Sequence, residues 1–89
     1  MPSQTVVVRN AVGLHARPAA LFVKIARQFP ATTIRVARDG RDTDARSITG
    51  ILTLEVSKGT PITISAEGPD AEAALAAMVG IVEAGLGEP

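Results

Sequence analysis

The period of the apolar positions changes several times along the chain, and each change marks an element. Thr5–Arg9, TVVVR, is a run of β-branched residues and predicts a strand. From Pro18 to Phe29 the period becomes helical: Leu21, Phe22, Ile25 and Phe29 recur at that spacing, while Lys24, Arg27 and Gln28 fall elsewhere. This predicts an amphipathic helix burying a Leu/Phe/Ile face. Pro18 fits its first turn, where a missing N–H costs nothing, and Pro30 stops it. Thr33–Ala37, TIRVA, alternates and predicts a strand with Ile34 and Val36 inward. Arg38-Asp39-Gly40-Arg41 then carries the Asp-Gly pair of a tight hairpin, with a short return strand over roughly Arg41–Ala45. Ser47–Leu54 fits either a short helix or a strand. As a helix, Ser47 is its N-cap, Ile48, Ile51 and Leu52 follow at helical spacing, Ile51 belongs to the core, and Gly50 weakens it. Lys58-Gly59-Thr60-Pro61 is a turn, and Ile62–Ala66 alternates as a half-buried strand. Gly68-Pro69-Asp70 opens a last helix with Asp70 at its N-cap. Ala71, Ala74, Leu75, Met78, Val79 and Val82 form its apolar stripe, and Gly85 caps its C-terminus.

The resulting order, βαββαβα, predicts an α+β sandwich with helices on one face of a sheet and solvent on the other. Ferredoxin-like binding domains begin with the same order, so order alone does not name a function. The length, 89 residues, suits a single domain over 1–89 and bars two. A chain this short buries only roughly 60–65% of its unfolded surface, so its core must be efficient.

Composition removes several function classes. There is no cysteine, which excludes disulfides and thiolate metal sites. One histidine cannot build a His-based metal centre, so neither a metal nor a cofactor is expected. Nine basic and nine acidic residues sum to zero, unlike the one-signed surface of a nucleic-acid binder, and only Phe22 and Phe29 could stack on bases. The opening MPSQTVVVRN lacks the basic-then-apolar build of a secretory leader, and no apolar run approaches a membrane span. A soluble, cytoplasmic protein is the expectation.

The only histidine stands in VGLHARPAALFVK, at the start of the first predicted helix. Backbone N–H groups there lack internal partners and the helix dipole is positive, which makes a natural anion site. A neutral imidazole at that point offers a nucleophilic nitrogen to a phosphoryl group, and Arg17 offers a fork of donors to its oxygens. Dipole effects contribute about 0.3–1 kcal/mol and a charge-assisted hydrogen bond about 1.5–3 kcal/mol, enough to hold a phosphoryl group without making it inert. Taken singly, the same residues read otherwise: His15 as a cap or surface residue, Arg17 as a solvated charge, Pro18 as a helix-start proline.

GLHARPAALFVK resembles the phosphorylation-site signature of the HPr family, the histidine-containing phosphocarriers of the bacterial phosphoenolpyruvate-dependent sugar phosphotransferase system (PTS). The resemblance continues through RSITGILTLEVSKGTPITISAEG, Arg46 to Gly68, and reaches GLGE at Gly85 to Glu88. It implies an open-faced β-sandwich, a four-stranded antiparallel sheet with three helices on one face. It implies further that His15 accepts phosphate from phospho-enzyme I on Nδ1 and donates it to the IIA domain of a sugar permease. Arg17 would then stabilise the group in transit, and the backbone amides of Ala16 and Arg17 would add donors. Ser47 matches a regulatory serine that an ATP-dependent HPr kinase/phosphorylase modifies in carbon catabolite repression; a serine at that point is also an ordinary N-cap.

By the same resemblance Ala20, Leu21, Ile48, Thr49 and Leu52 form the partner interface, a small apolar patch with a charged rim suited to transient docking by a monomer; Ile48 and Leu52 could equally fill the core. The sequence departs from the family pattern in three ways. Val12 stands where many members carry a hydrogen-bonding Asn or Ser, Thr49-Gly50 replaces a more apolar or charged pair, and Pro89 is additional. Such a protein is a carrier and not an enzyme with turnover. The alternatives are an HPr paralogue in a nitrogen-type or dihydroxyacetone phosphorelay, a small-ligand regulatory module with no need for His15, and an interaction protein that tolerates His15→Ala.

Overall fold

In a computed structural model that describes residues 2–87, the elements run β1 (Ser3–Val7), α1 (Ala16–Ala26), β2 (Thr33–Arg38), β3 (Arg41–Asp44), α2 (Ile48–Thr53), β4 (Pro61–Glu67) and α3 (Ala71–Glu83). The order is the expected βαββαβα. The strands form one antiparallel sheet in the order β1-β4-β2-β3. β4 is therefore central, pairing with β1 and β2, and its alternation turns Ile62, Ile64 and Ala66 inward. Val6, Ile34 and Val36 share that inner face, which α3 covers from its Ala74, Met78, Val79 and Val82 stripe. α1 packs beside α3 and α2, and α2 sits over β3. The opposite face is open, with small hydroxyl pairs such as Thr5 and Thr63 (Oγ1–Oγ1 2.9 Å) and the Arg35–Asp42 ion pair at 2.8 Å.

The hairpin forms as its Asp-Gly pair predicts. Asp39 and Gly40 take φ of +49° and +79°, the two left-handed positions of the turn that best matches strand twist. Ser47–Leu54 resolves to a helix: the Ser47 hydroxyl accepts the Gly50 N–H at 3.0 Å, and Ile51 is fully buried. Gly50 is there for space, because a Cβ would collide with the Thr43 side chain of β3. After α3, Gly85 (φ +86°) reverses the chain. Its N–H reaches the Val82 carbonyl at 3.0 Å, and the Leu86 N–H reaches that of Ile81 at 2.9 Å. Leu86 is thereby folded into the core. Glu88 and Pro89, the end of the GLGE similarity and the added proline, lie outside the described residues.

Four expectations need correction. β1 spans Ser3–Val7, not Thr5–Arg9, because its regular ladder with β4 runs from Ser3↔Ser65 to Val7↔Pro61; beyond it the Val8 N–H donates to the Thr60 carbonyl and the Val8 carbonyl accepts from the Gly59 N–H, out of register in the turn before β4. α1 begins at Ala16 and ends at Ala26. Beyond it, Gln28 and Phe29 bond to Ile25 and Ala26 in a tightened turn, so helical order ends before Pro30 acts. The buried face of α1 is Pro18, Ala19, Phe22, Val23 and Ala26, whereas Leu21, Ile25 and Phe29 are only half-buried. Small alanines let the helix lie close, which a count of large apolar residues overlooks. Asp70 occupies the N-cap of α3 but its side chain makes no cap; instead its N–H donates to the Thr32 hydroxyl at 3.3 Å.

The rotated face has a measurable consequence. Phe22→Ala empties a fully buried site and should cost about 3–5 kcal/mol in a denaturant titration. Leu21→Ala should cost only about 1 kcal/mol; equal losses would restore the face read from the sequence.

Candidate functional site

Three backbone facts set His15 where it is. Gly13 takes φ +63° and lies so close to the chain at Val56 and Ser57 that a Cβ would come 2.6 Å from Ser57 Cα. The Asn10 side-chain amide, buried, donates to the Gly13 carbonyl at 2.8 Å, and the Leu14 N–H donates to the Val56 carbonyl at 3.0 Å. Leu14 is then buried, and the next residue emerges at the helix start. His15 is the N-cap of α1, extended at φ −78° and ψ −174°, exposed, and its side chain makes no cap bond. The imidazole is thus not spent on the helix. Val12 is exposed, and its side chain offers no hydrogen bond to His15.

The first helical hydrogen bond runs from the Ala19 N–H to the His15 carbonyl at 2.8 Å. The amides of Ala16 and Arg17 precede that first bond, and Pro18 has no N–H to add. Arg17 is exposed, and among the described residues no carboxylate pairs with it. α1 contains no acidic residue, so Arg17, Lys24 and, just past its end, Arg27 make its exposed side cationic.

A cleft of about 320 Å³ opens beside His15, lined also by Leu14, Leu52, Glu55, Val56 and Ser57. A second hollow brings Ala20 together with Val23, Lys24, Arg27 and Ile48. Ile48 and Leu52 are each 40% exposed while Ile51 is sealed, so two of the three apolar residues of α2 are surface and not core. Thr49 is exposed beside them. Leu21 is drawn elsewhere: it is half-buried, and a Cβ on Gly87 would come 3.1 Å from its Cδ2, so it leans on the C-terminal turn. Ser47 is half-buried, engaged as the α2 cap, one residue before Ile48. The sequence reading missed the Glu55–Ser57 wall of the cleft. Glu55 takes φ +57°, and the glycine that usually announces such a turn is absent.

Among the described residues no group of His, Asp and Glu side chains is arranged to hold a metal ion, and no helix is long and apolar enough to cross a membrane. The arrangement suits an anion: an imidazole with no hydrogen bond of its own, the first backbone amides of α1 and, two residues on, the exposed Arg17.

Comparison with known proteins agrees. Residues 2–84 match the family model described as the PTS HPr component phosphorylation site. The chain is 42% identical over 83 residues to the HPr-like protein Crh of Bacillus subtilis, covering 93% of this chain and 96% of Crh. It is 35% identical over 85 residues to the phosphocarrier protein NPr of Escherichia coli K12, covering 96% and 94%. The crystal structure of HPr-C-His from Thermoanaerobacter tengcongensis superposes with a TM-score of 0.95 at 45% identity, over 100% of this chain and 99% of that one.

The close approach at Gly13 gives a test. Gly13→Ala adds a left-handed side chain and a backbone collision, and should lower stability by about 2–4 kcal/mol in thermal or chemical unfolding. A loss below about 1 kcal/mol would mean the two segments are not held together there.

Proposed function

This chain belongs to the HPr family of phosphocarrier proteins, and from that premise we propose that His15 accepts a phosphoryl group from phospho-enzyme I and passes it to the IIA domains of sugar permeases. The observation that carries the reading is His15 itself: exposed, at the N-cap of α1, with its ring unbonded and two free amides following it. The Nδ1 lone pair attacks phosphorus as the donor's N–P bond breaks, so one N–P bond replaces another and the leaving imidazole regains its lone pair. Arg17 and the Ala16 and Arg17 amides meet the charge on the phosphoryl oxygens as it passes. The site is open, so the same group is accessible to the second partner. Such a protein turns nothing over alone and needs no cofactor.

The cationic side of α1 with exposed Ala20, Ile48, Thr49 and Leu52 supports docking on partners with acidic, partly apolar faces; Leu21, half-buried against the C-terminal turn, stands apart from that face. A cytoplasmic monomer fits a carrier that meets two partners in turn. Ser47 is the candidate for regulatory phosphorylation by an ATP-dependent HPr kinase/phosphorylase: its hydroxyl opens α2 next to exposed Ile48, so a phosphate there would alter the docking face. The similarity to NPr favours a second reading, a carrier of the same chemistry in a nitrogen-type relay. A dihydroxyacetone relay would use the same histidine. A purely regulatory HPr-like role fits less well, because by the family resemblance such proteins usually lose the histidine and His15 is present.

Intact-mass spectrometry after incubation with phosphoenolpyruvate and an enzyme I of the sugar or nitrogen type separates these. One acid-labile phosphoryl group is expected, absent in His15→Ala, and the faster enzyme I identifies the relay. No phosphate with either enzyme I would overturn the carrier role. Arg17→Ala should slow transfer about tenfold while the chain stays folded, the effect of losing one solvent-weakened charge-assisted bond. With ATP and the kinase, a second, acid-stable phosphate is expected, absent in Ser47→Ala.

A further inference from the structure

Glu55 holds a backbone conformation that side chains other than glycine rarely adopt, with φ +57°. Such a position persists only where its surroundings impose it. Two arginines of the β2–β3 hairpin do so. Arg38 Nη1 donates to the carbonyls of Leu54 at 3.1 Å and Glu55 at 2.9 Å, and Arg41 Nη2 donates to Leu54 at 3.3 Å. They answer the carbonyls left over where α2 ends and the negative end of its dipole. So clamped, the chain turns at Glu55 and returns the Val56 carbonyl to the Leu14 N–H beside His15.

The turn also projects the Glu55 side chain. It is 78% exposed, and it is the only carboxylate among the residues lining the His15 cleft. Arg41 Nη1 is 4.0 Å from its Oε1 and itself half-exposed, a contact too long and too wet to neutralise it. The docking face is therefore two-signed: cations along α1, apolar Ile48 and Leu52, and one negative charge on the cleft wall. Charges at the edge of an interface act chiefly on encounter and on the rejection of wrong partners.

Resting on the carrier reading above, we propose that Glu55 is a specificity-determining residue, selecting phosphotransfer partners that set a cationic side chain against the cleft wall of His15. It touches no reacting atom in this role. A partner with an acidic side chain at that point is disfavoured by like charge.

The test is the steady-state phosphorylation of the full chain by whichever enzyme I phosphorylates the wild type faster, at low and at high salt. Glu55→Gln keeps the shape and removes the charge. Its KM should rise about 3–10-fold at low ionic strength with kcat unchanged, and the difference should shrink at about 0.5 M salt, where exposed charges are screened. Glu55→Lys should raise KM further. Glu55→Gly removes charge and backbone strain together and should match Glu55→Gln. An unchanged or lowered KM for Glu55→Gln, or a salt-independent change, overturns the inference while the carrier reading stands. Failure of the wild type to be phosphorylated by either enzyme I overturns both.

Discussion

The structure turns on the close contact between two loops distant in sequence, residues 13–14 against 56–57. One hydrogen bond, Leu14 N–H to the Val56 carbonyl at 3.0 Å, joins them, and the missing Cβ of Gly13 allows the approach. Everything at the functional site follows from it. Leu14 is anchored in the core, α1 can begin only after it, and His15 is left at the boundary between buried chain and solvent. The other half of the contact is held by Arg38 and Arg41 at the end of α2. The His15 segment, the end of α2 and the β2–β3 hairpin are thus joined through one set of hydrogen bonds.

A carrier faces opposed demands. A short chain must bury as much apolar surface as it can, yet its reactive group must stay accessible to two proteins in succession. The fold separates these by face and by residue. Phe22, Ile34, Ile64 and Met78 are sealed between sheet and helices, and alanines at 19, 26, 66 and 74 let those layers lie close. On α2 the division falls within one turn, Ile51 inward and Ile48 and Leu52 outward. The apolar surface withheld from the core is the surface available for docking.

Electrostatics divides in the same way. The net charge is zero, but its distribution is not even: α1 carries cations without acids, and the cleft wall carries Glu55. The clear ion pairs, Arg35–Asp42, Arg38–Asp39 and Arg46–Asp44, lie on the sheet and its hairpin or at the approach to α2. Those charges are mutually occupied. Arg17 and Lys24, by contrast, pair with no carboxylate among the described residues, and Glu55 has only the 4.0 Å contact to Arg41.

While it left Ser47–Leu54 open between a helix capped by Ser47 and a strand, the sequence by itself determined the Asp39-Gly40 hairpin, the inward residues of β2, the alternation of β4 and the position of His15 at a helix start. Each is a local matter, set by periodicity over a few residues or by a side chain bonding its own backbone. The tertiary structure alone decided the rest. Which face of α1 is buried depends on how near small residues let it come to its neighbours, so Ala19, Val23 and Ala26 displaced Leu21 and Ile25. Where β1 ends depends on its register with β4, a strand far along the chain. The cleft beside His15, and the left-handed Glu55 in its wall, arise from arginines 14 to 17 residues away. Local propensity carries no record of such contacts, because their energy exists only once the chain has closed on itself.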